Sequence, residues 1–383
     1  MMRRWIHLAL LAALALGISG CASTEPGYYP PPPPPPSHHA EVRVDISLFY
    51  DDLAPYGNWY TVEPYGWVWC PRGMRYGWRP YVDGHWIYTD FGWMWASEYS
   101  WGWAPFHYGR WAYDSFYGWI WVPGSTWAPA WVAWRYGDGW IGWAPLPPEV
   151  AWRVGFGLDF GTFDINAGIE SPRWCFVEQR YFLDHRIRTR VLPRSRNVTL
   201  FPVTRDVTKY DEIRSRPAER GLDADIVGRA LGQVVPRYQL VEAKAPGRGR
   251  PEAIRGRTVE IYRPVVPEAR PEPRRRIEPP PPEKPAPPQE IEKRQESERR
   301  RLENRFERER TALEREQEKE LRKPPQGVPN EELRKRHEEE MRAQREIEKR
   351  ERERLERRQQ QQRKDAAERE TPAERARPEG HSK

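Results

Sequence analysis

The residues with the clearest chemistry are three cysteines, and the first of them ends an apolar N-terminal segment. Arg3 and Arg4 precede an apolar run from Leu8 to Leu16, and small residues follow it up to Cys21. This order of charge, apolar run and small residues is typical of a secretory signal peptide. The run is also too short to remain as a membrane-spanning helix. We therefore expect residues 1–20 to be removed during export.

The last four residues of this segment, Ile18-Ser19-Gly20-Cys21, resemble the lipobox of bacterial lipoproteins. The resemblance implies cleavage before Cys21 and attachment of lipid to its thiol and to the new amino terminus. An ordinary cleavage site beside an incidental cysteine is the alternative. Ala22 stands where an Asp often retains such proteins at the inner membrane. We therefore expect an outer-membrane lipoprotein of the bacterial cell envelope that faces the periplasm, and surface exposure stays open.

Cys70 and Cys175 are the other two cysteines. An exported chain meets an oxidising compartment, where two nearby thiols tend to form a disulfide. The bridge would close a loop of about 105 residues, for which the chain-entropy model allows roughly 4–5 kcal/mol. It requires Cα atoms within about 7 Å of each other. Two separate buried thiols that act as small apolar residues are the alternative.

No other set of residues has the spacing of a catalytic or metal site. The sequence lacks a Gly-rich phosphate loop, a His-Glu-x-x-His motif and a nucleophile elbow. Only two of the eight histidines, His85 and His107, lie in the Trp-rich region. His85 takes a position that Asn58 and Arg110 hold in neighbouring repeats, so this position accepts any polar residue. We therefore predict that the protein is not an enzyme and uses no metal or other cofactor.

The chain is organised around a Trp-rich repeat between Tyr56 and Trp152, which holds eighteen of the twenty tryptophans. Gly-Trp-x-Trp begins at Gly66, Gly92 and Gly118, a period of about 26 residues. Because side chains alternate along a strand, both tryptophans of each pair point to one face. Gly and Pro bound each run, so every unit is predicted to form two or three short antiparallel strands.

Most of these tryptophans are predicted to form the core. Each buries roughly 200 Å² of surface, and the region has few Leu, Ile or Val residues that could replace them. An exposed aromatic surface that stacks on glycan or peptide is the alternative.

Several runs in this region resemble an uncharacterised family of Trp-rich exported bacterial proteins, which is classed as a domain of unknown function. The runs are Phe49–Trp59, Gly102–Trp111, Pro129–Arg135 and Gly142–Pro148. The resemblance covers roughly residues 46–240. It implies an envelope location and brings no known catalytic residues.

Downstream of the repeat, the apolar pattern predicts strands and one short helix. The helix is expected over Asp223–Leu231, with Asp223 as N-cap and Gly232 at its end. The predicted strands are Trp174–Val177, Tyr181–Leu183, Val198–Val203 and Val259–Tyr262.

The C-terminal region from Glu290 to Glu370 consists almost entirely of Glu, Arg, Lys and Gln. Opposite charges recur three or four residues apart, which supports a helix. Apolar residues are too sparse for a strong heptad repeat, so we predict a solvated single helix that is broken near residues 324–329. Weak self-association through this tail stays open. A polar, Pro-rich linker precedes the tail, so we expect a fragment from Ala40 to Val266 to fold without it.

The predicted fold class is mainly β, with short antiparallel strands in a Trp-rich module and a smaller β-rich second half. A Pro-rich linker and a long charged helical tail follow. The predicted segments are a signal peptide (1–20), a lipidated Pro-rich tether (21–41), the Trp-rich module (42–152), the second half (153–266), the linker (267–289), the tail (290–370) and a disordered end (371–383).

These features predict a lipid-anchored structural or interaction protein, and a peptidoglycan- or polysaccharide-binding module with exposed tryptophans is the alternative. The basic stretches Arg186–Arg196 and Arg248–Arg257 suggest nucleic acid as a ligand, but the export signal argues against it. Besides the membrane, we expect partners among peptidoglycan, lipopolysaccharide and other envelope proteins.

Overall fold

The computed structural model describes residues 46–75, 77–114, 117–246, 252–267, 288–324 and 328–375. All of them belong to the unit Glu41–Lys383. The predicted signal peptide, the tether with Cys21 and most of the linker 267–289 lie outside the described residues.

The described residues form seventeen strands and six α-helices, with four single turns of 3-10 helix. The strands are β1 (Gly57–Val62), β2 (Gly66–Pro71), β3 (Gly84–Thr89), β4 (Gly92–Ser97), β5 (Arg110–Asp114), β6 (Gly118–Val122), β7 (Val132–Gly137), β8 (Trp140–Pro145), β9 (Ala151–Arg153), β10 (Gly157–Asp159), β11 (Cys175–Glu178), β12 (Arg205–Asp206), β13 (Tyr210–Ile213), β14 (Arg216–Glu219), β15 (Arg237–Ala243), β16 (Glu252–Arg255) and β17 (Thr258–Tyr262). The helices are α1 (Ser47–Leu53), α2 (Ile165–Gly168), α3 (Asn197–Leu200), α4 (Ala224–Leu231), α5 (Pro288–Arg322) and α6 (Asn330–Arg375). The 3-10 turns are Ser171–Arg173, Gln179–Tyr181, Ile187–Thr189 and Arg194–Arg196.

Each unit of the Trp-rich repeat folds as one antiparallel β-hairpin, and four such hairpins follow one another from β1 to β8. Every hairpin places two tryptophans directly opposite each other, which brings large apolar side chains into contact across the strands. The pairs are Trp59–Trp69, Trp86–Trp95, Trp111–Trp121 and Trp134–Trp143. The predicted short antiparallel strands are therefore confirmed, with two strands in each unit.

Glycine begins the second strand of the first three hairpins because the backbone there is left-handed. Gly66, Gly92 and Gly118 have φ angles of +71°, +92° and +83°, a region that L side chains enter only with strain. At Gly92, an added Cβ would also lie 1.9 Å from the carbonyl oxygen of Glu219. The glycine that precedes each Trp-x-Trp pair is therefore the residue that the turn requires.

Strands from the second half extend the sheets of the repeat. The larger sheets have the orders β1-β2-β6-β5, β11-β8-β7-β12 and β16-β17-β15-β3-β4. Two smaller sheets have two strands each: β9 pairs with β10, and β13 pairs with β14. Strand β15 runs parallel to both β3 and β17, so the antiparallel pairing predicted within the Trp-rich module does not extend to this strand of the second half. The second half thus packs on the Trp units and shares their sheets.

The tryptophans form the core, as predicted. Sixteen of the nineteen described tryptophans are buried and the other three are half-buried. Several indole N–H groups donate to backbone carbonyl oxygens outside their own hairpin or strand pair, which satisfies the buried donor. These bonds join Trp69 to Leu53 (3.0 Å), Trp93 to Leu222 (2.8 Å), Trp121 to Tyr108 (2.7 Å) and Trp143 to Tyr81 (2.8 Å). The aromatic core therefore also holds the connecting segments in place.

Local sequence signals located some elements of the second half correctly. Strands β11 and β17 lie at predicted positions. In α4, the side chain of Asp223 accepts hydrogen bonds from the backbone N–H groups of Asp225 (2.7 Å) and Ile226 (3.2 Å), and Gly232 ends the helix with a φ of 65°.

Two predicted strands are wrong. The Tyr181–Leu183 run begins in a 3-10 turn, and Phe182 is fully buried against Trp86 and Trp93. The Val198–Val203 run begins within α3. There the Asn197 side chain donates to the carbonyl oxygens of Ser171 (2.7 Å) and Trp174 (2.8 Å). In both cases contacts with distant residues decide the local structure.

The charged tail forms an antiparallel helical hairpin of α5 and α6, so the prediction of a solvated single helix is wrong. Gln295 contacts Gln359 near the open end, and Gln317 contacts Glu340 near the turn. Leu302, Phe306 and Leu355 form a small apolar cluster between the helices. α5 ends at Arg322 and α6 begins at Asn330, on either side of the predicted break.

This helical hairpin docks on the second half through buried ion pairs. Arg196 lies 2.8 Å from Glu320 and 3.3 Å from Glu340, and Arg194 lies 2.6 Å from Glu351. The side chains of Arg196 and Glu340 are 6% and 0% exposed. The tail is thus part of the folded unit. Among the helices of the described ranges, none has the length and apolar character needed to cross a bilayer.

Candidate functional site

The predicted disulfide between Cys70 and Cys175 is not formed, and both thiols are free. The two cysteines lie in strands of different sheets. Cys70 lies in β2, where its sulfur is 3.8 Å from the carbonyl oxygen of Tyr117. Cys175 lies in β11 of a different sheet, opposite Trp143, and is fully buried. Burial raises the pKa of the Cys70 thiol to about 11 and also raises that of Cys175. Both cysteines therefore act as neutral packing residues.

The two histidines of the repeat are buried. His85 packs with its ring centroid 4.6 Å from that of His185. The Nδ1 atom of His107 is 3.0 Å from the carbonyl oxygen of Ala128, and its Nε2 atom is 3.1 Å from a carboxylate oxygen of Glu252. Within the described part of the chain, no group of three or more His, Cys, Asp or Glu residues has the arrangement of a metal site.

Glu252 joins the last sheet to the repeat. Its second carboxylate oxygen accepts a hydrogen bond of 3.0 Å from the backbone N–H of Ser97. Burial raises the pKa of this carboxyl, and the contact with His107 opposes that effect. The pair is enclosed, with both side chains 3% exposed, so it is placed to fix β16 against the Trp module.

A cavity of about 590 Å³ lies between the Trp module and α6. We call it the arginine cleft and define it by Trp78, Arg79, Tyr113, Ile347 and Arg354, which are among its lining residues. Its volume falls in the range of about 300–1,000 Å³ that is common for small-molecule sites. Aromatic rings, an aliphatic side chain and guanidinium groups thus line one partly open cleft.

Arginine outnumbers glutamate in the lining of the arginine cleft, with seven arginines and three glutamates among the described residues. Each glutamate is already in an ion pair. The pairs are Glu170 with Arg173 (3.1 Å), Glu346 with Arg350 (3.0 Å) and Glu351 with Arg194 (2.6 Å). Two further lining arginines have partners outside the cavity, Arg75 with Asp83 (2.8 Å) and Arg358 with Glu298 (2.8 Å).

Arg79 and Arg354 are the two remaining arginines of the cleft, and no carboxylate of the described residues lies within 4.0 Å of either guanidinium. Arg79 is 8% exposed, and its Nη1 donates to the carbonyl oxygen of Trp174. Burial, the largest influence, lowers the pKa of this guanidinium. A buried cation without a counter-ion is costly, and among the described residues that line the cleft Arg79 is the one arginine that is both buried and without a carboxylate partner.

Arg354 extends from α6 toward the third hairpin of the repeat. Its Cζ atom lies 5.4 Å from the ring centroid of Tyr113. Its Nη1 would lie 2.8 Å from a Cβ added to Gly118, so the guanidinium occupies space that this glycine leaves open. The guanidinium is thus directed to the side of the cleft that β5 and β6 form.

Sequence reasoning did not identify the arginine cleft, because its walls come together only when the tail docks. Arg79 gives one local signal, since it stands between Trp78 and Pro80 in a region of core aromatics. The partner wall lies on α6, more than two hundred residues later in the sequence. Of the predicted site residues, only Cys70 lines the cavity, Cys175 lies elsewhere, and Cys21 is outside the described residues.

One family model, described as a family of unknown function (DUF6600), matches residues 50–150. This range contains all four β-hairpins of the repeat. No curated protein and no solved structure matches the chain. The Trp-rich repeat is therefore similar to an uncharacterised domain, and this similarity names no ligand or reaction.

Proposed function

We propose that the chain is a lipid-anchored structural or interaction protein of the bacterial cell envelope. In this proposal Cys21 carries the lipid, the Pro-rich tether separates the module from the membrane, and the module displays the helical hairpin. The observation that carries the proposal is the burial of sixteen of the nineteen described tryptophans. A module that uses its aromatic side chains for its own core is suited to be a rigid support.

The alternative, glycan binding by exposed tryptophans, has less support. The described tryptophans that are not buried are Trp67, Trp140 and Trp152, and each is only half-buried. Co-sedimentation with purified peptidoglycan separates the two functions. Ionic attachment weakens as salt screens charge, whereas stacking on aromatic rings persists. Retention that survives high salt would favour the alternative.

The anchor is tested by metabolic labelling with palmitate. Cys21→Ser is expected to abolish labelling and to leave an unprocessed precursor, because the lipidated thiol is gone. Cys70→Ser is the matched control and is expected to be labelled like the wild type. Continued labelling of the Cys21→Ser variant would overturn the proposed anchor.

A further inference from the structure

We infer that the arginine cleft binds a small carboxylate-bearing molecule with an aromatic or aliphatic body, and that Arg79 and Arg354 bind the carboxylate. The inference concerns the cavity alone and does not depend on lipidation or on the cellular address of the protein.

The first argument is the charge balance of the cavity. All three lining glutamates already contact arginines, and Arg79 and Arg354 have no carboxylate of the described residues within 4.0 Å. Arg79 is more than nine-tenths buried, and a buried guanidinium is stabilised when an anion approaches it. The planar fork of arginine also matches a carboxylate with two parallel hydrogen bonds. An anion in the cleft would thus provide a charge that the fold does not.

The second argument concerns the class of anion. Glu170, Glu346 and Glu351 line the same cavity, and each is held by an arginine. The positive charge that remains belongs to Arg79 and Arg354, and a single carboxylate has two oxygens with which to accept from them. Charge-assisted pairing with one carboxylate also leaves the existing ion pairs of the glutamates unchanged.

The third argument is the shape and apolar lining of the space. Trp78, Tyr113 and Trp119 contribute rings, and Met74 and Ile347 contribute aliphatic surface. The cavity volume of about 590 Å³ exceeds what a bare carboxylate needs. Small-molecule sites typically combine apolar walls with a few polar groups that orient the ligand. The lining therefore indicates a ligand with a substantial apolar part.

The test is a calorimetric titration of the full-length Cys21→Ser protein with 2-naphthoate, with the neutral 2-naphthamide as matched probe. We expect saturable binding of 2-naphthoate and at least about tenfold weaker binding of the amide, since the loss of one charge-assisted contact changes affinity on this scale. Inorganic phosphate is expected to bind more weakly than 2-naphthoate. Absence of saturable 2-naphthoate binding, or equal binding of the amide, would overturn the inference. Tighter binding of phosphate would reject carboxylates as the ligand class.

Variants locate the binding site. Arg354→Gln should weaken 2-naphthoate binding by about tenfold, and Arg79→Gln should weaken it at least as much if the variant folds. Arg357→Gln is the control, because Arg357 is an exposed residue of the same helix that does not line the cavity. If Arg79→Gln fails to fold, the comparison of Arg354→Gln with Arg357→Gln decides whether the arginine cleft is the binding site. Equal affinities in these two variants would exclude the arginine cleft as the site.

Discussion

Glu219 in β14 has a buried ionisable side chain at the place where the second half of the chain contacts the Trp module. Its side chain is fully buried, and one carboxylate oxygen accepts hydrogen bonds from the backbone N–H groups of Gly221 and Leu222. Its backbone N–H donates to the carbonyl oxygen of Phe91 at 2.9 Å. Burial raises the pKa of the Glu219 carboxyl to about 8, although the backbone hydrogen bonds oppose this shift.

This shift predicts how stability depends on pH. The folded-state pKa of about 8 is above the ordinary value of 4.5. The stability contributed by Glu219 is therefore fully present below about pH 4.5 and is lost as the pH rises through about 8. Glu219→Gln keeps an acceptor for the Gly221 N–H group and carries no charge. At pH 9 we expect its free energy of unfolding to exceed that of the wild type by roughly 2–4 kcal/mol.

Urea unfolding at pH 5 and pH 9 measures the effect of Glu219→Gln. The two proteins should differ much less at pH 5 than at pH 9. At pH 5 the pH is close to the ordinary pKa of 4.5, so keeping the folded carboxyl protonated costs little. Glu338→Gln is the control, because Glu338 is exposed on α6. A Glu219→Gln variant that is less stable than the wild type at pH 9 would contradict this account of the buried carboxyl.

At the scale of elements, the sequence predicts those structures whose determinants are local. Glycine before each Trp-x-Trp pair marks the hairpins, and Asp223 with Gly232 marks α4, because turn and cap geometries depend on adjacent residues. The apolar residues of the run after Asn197 predict a strand. Its helix depends instead on Asn197 contacts with Ser171 and Trp174.

The docking of the tail cannot be predicted from local sequence patterns either, because its contacts also join residues that are far apart in the sequence. Arg196 and Glu320 are 124 residues apart in the sequence. Buried positions between α5 and α6 include polar residues such as Gln295, Gln317 and Gln344, so the apolar spacing of a coiled coil is missing. The sequence therefore predicts the helices and their break correctly but not their hairpin, nor the cavity that the hairpin closes.

Removal of the helical hairpin tests the independence of the remaining elements. The main aromatic core ends at Val266 and includes no residue of α5 or α6. A fragment from Ala40 to Val266 is therefore expected to melt cooperatively. Its melting temperature should be lower than that of the full chain, because Arg194 and Arg196 lose their carboxylate partners. A loss of about 1–2 kcal/mol corresponds to roughly 2–8 °C at this size.

Near-UV circular dichroism of the buried tryptophans reports this transition. The control is the full chain with Arg342→Gln and Arg357→Gln, which changes two exposed arginines of α6 and should melt like the wild type. A fragment without a cooperative transition, under conditions where the full chain has one, would show that the hairpin belongs to the folding core.

At the scale of the whole molecule, ionic contacts hold the helical hairpin on the aromatic module. Burial opposes ionisation of Glu320, but hydrogen bonds from His337 and Arg196 outweigh it, so the pKa of Glu320 is lowered to about 2. Its stabilising effect is therefore fully present above about pH 4.5 and is lost as the pH falls through about 2. Removing one member of a buried ion pair is strongly destabilising, because the other charge stays buried. The docked arrangement at neutral pH thus depends on Arg194 and Arg196.

The central claim, that the charged tail is folded back on the module and closes the arginine cleft, is tested most directly by hydrogen–deuterium exchange at pH 7. In the wild type, we predict that amides between Glu340 and Glu351 exchange at least about tenfold more slowly than those near the end of α6. The double variant Arg194→Gln/Arg196→Gln should lose this protection while β3 and β4 keep theirs, and Arg342→Gln/Arg357→Gln should resemble the wild type. Uniform, fast exchange along α6 in the wild type, unchanged in the double variant, would contradict the claim.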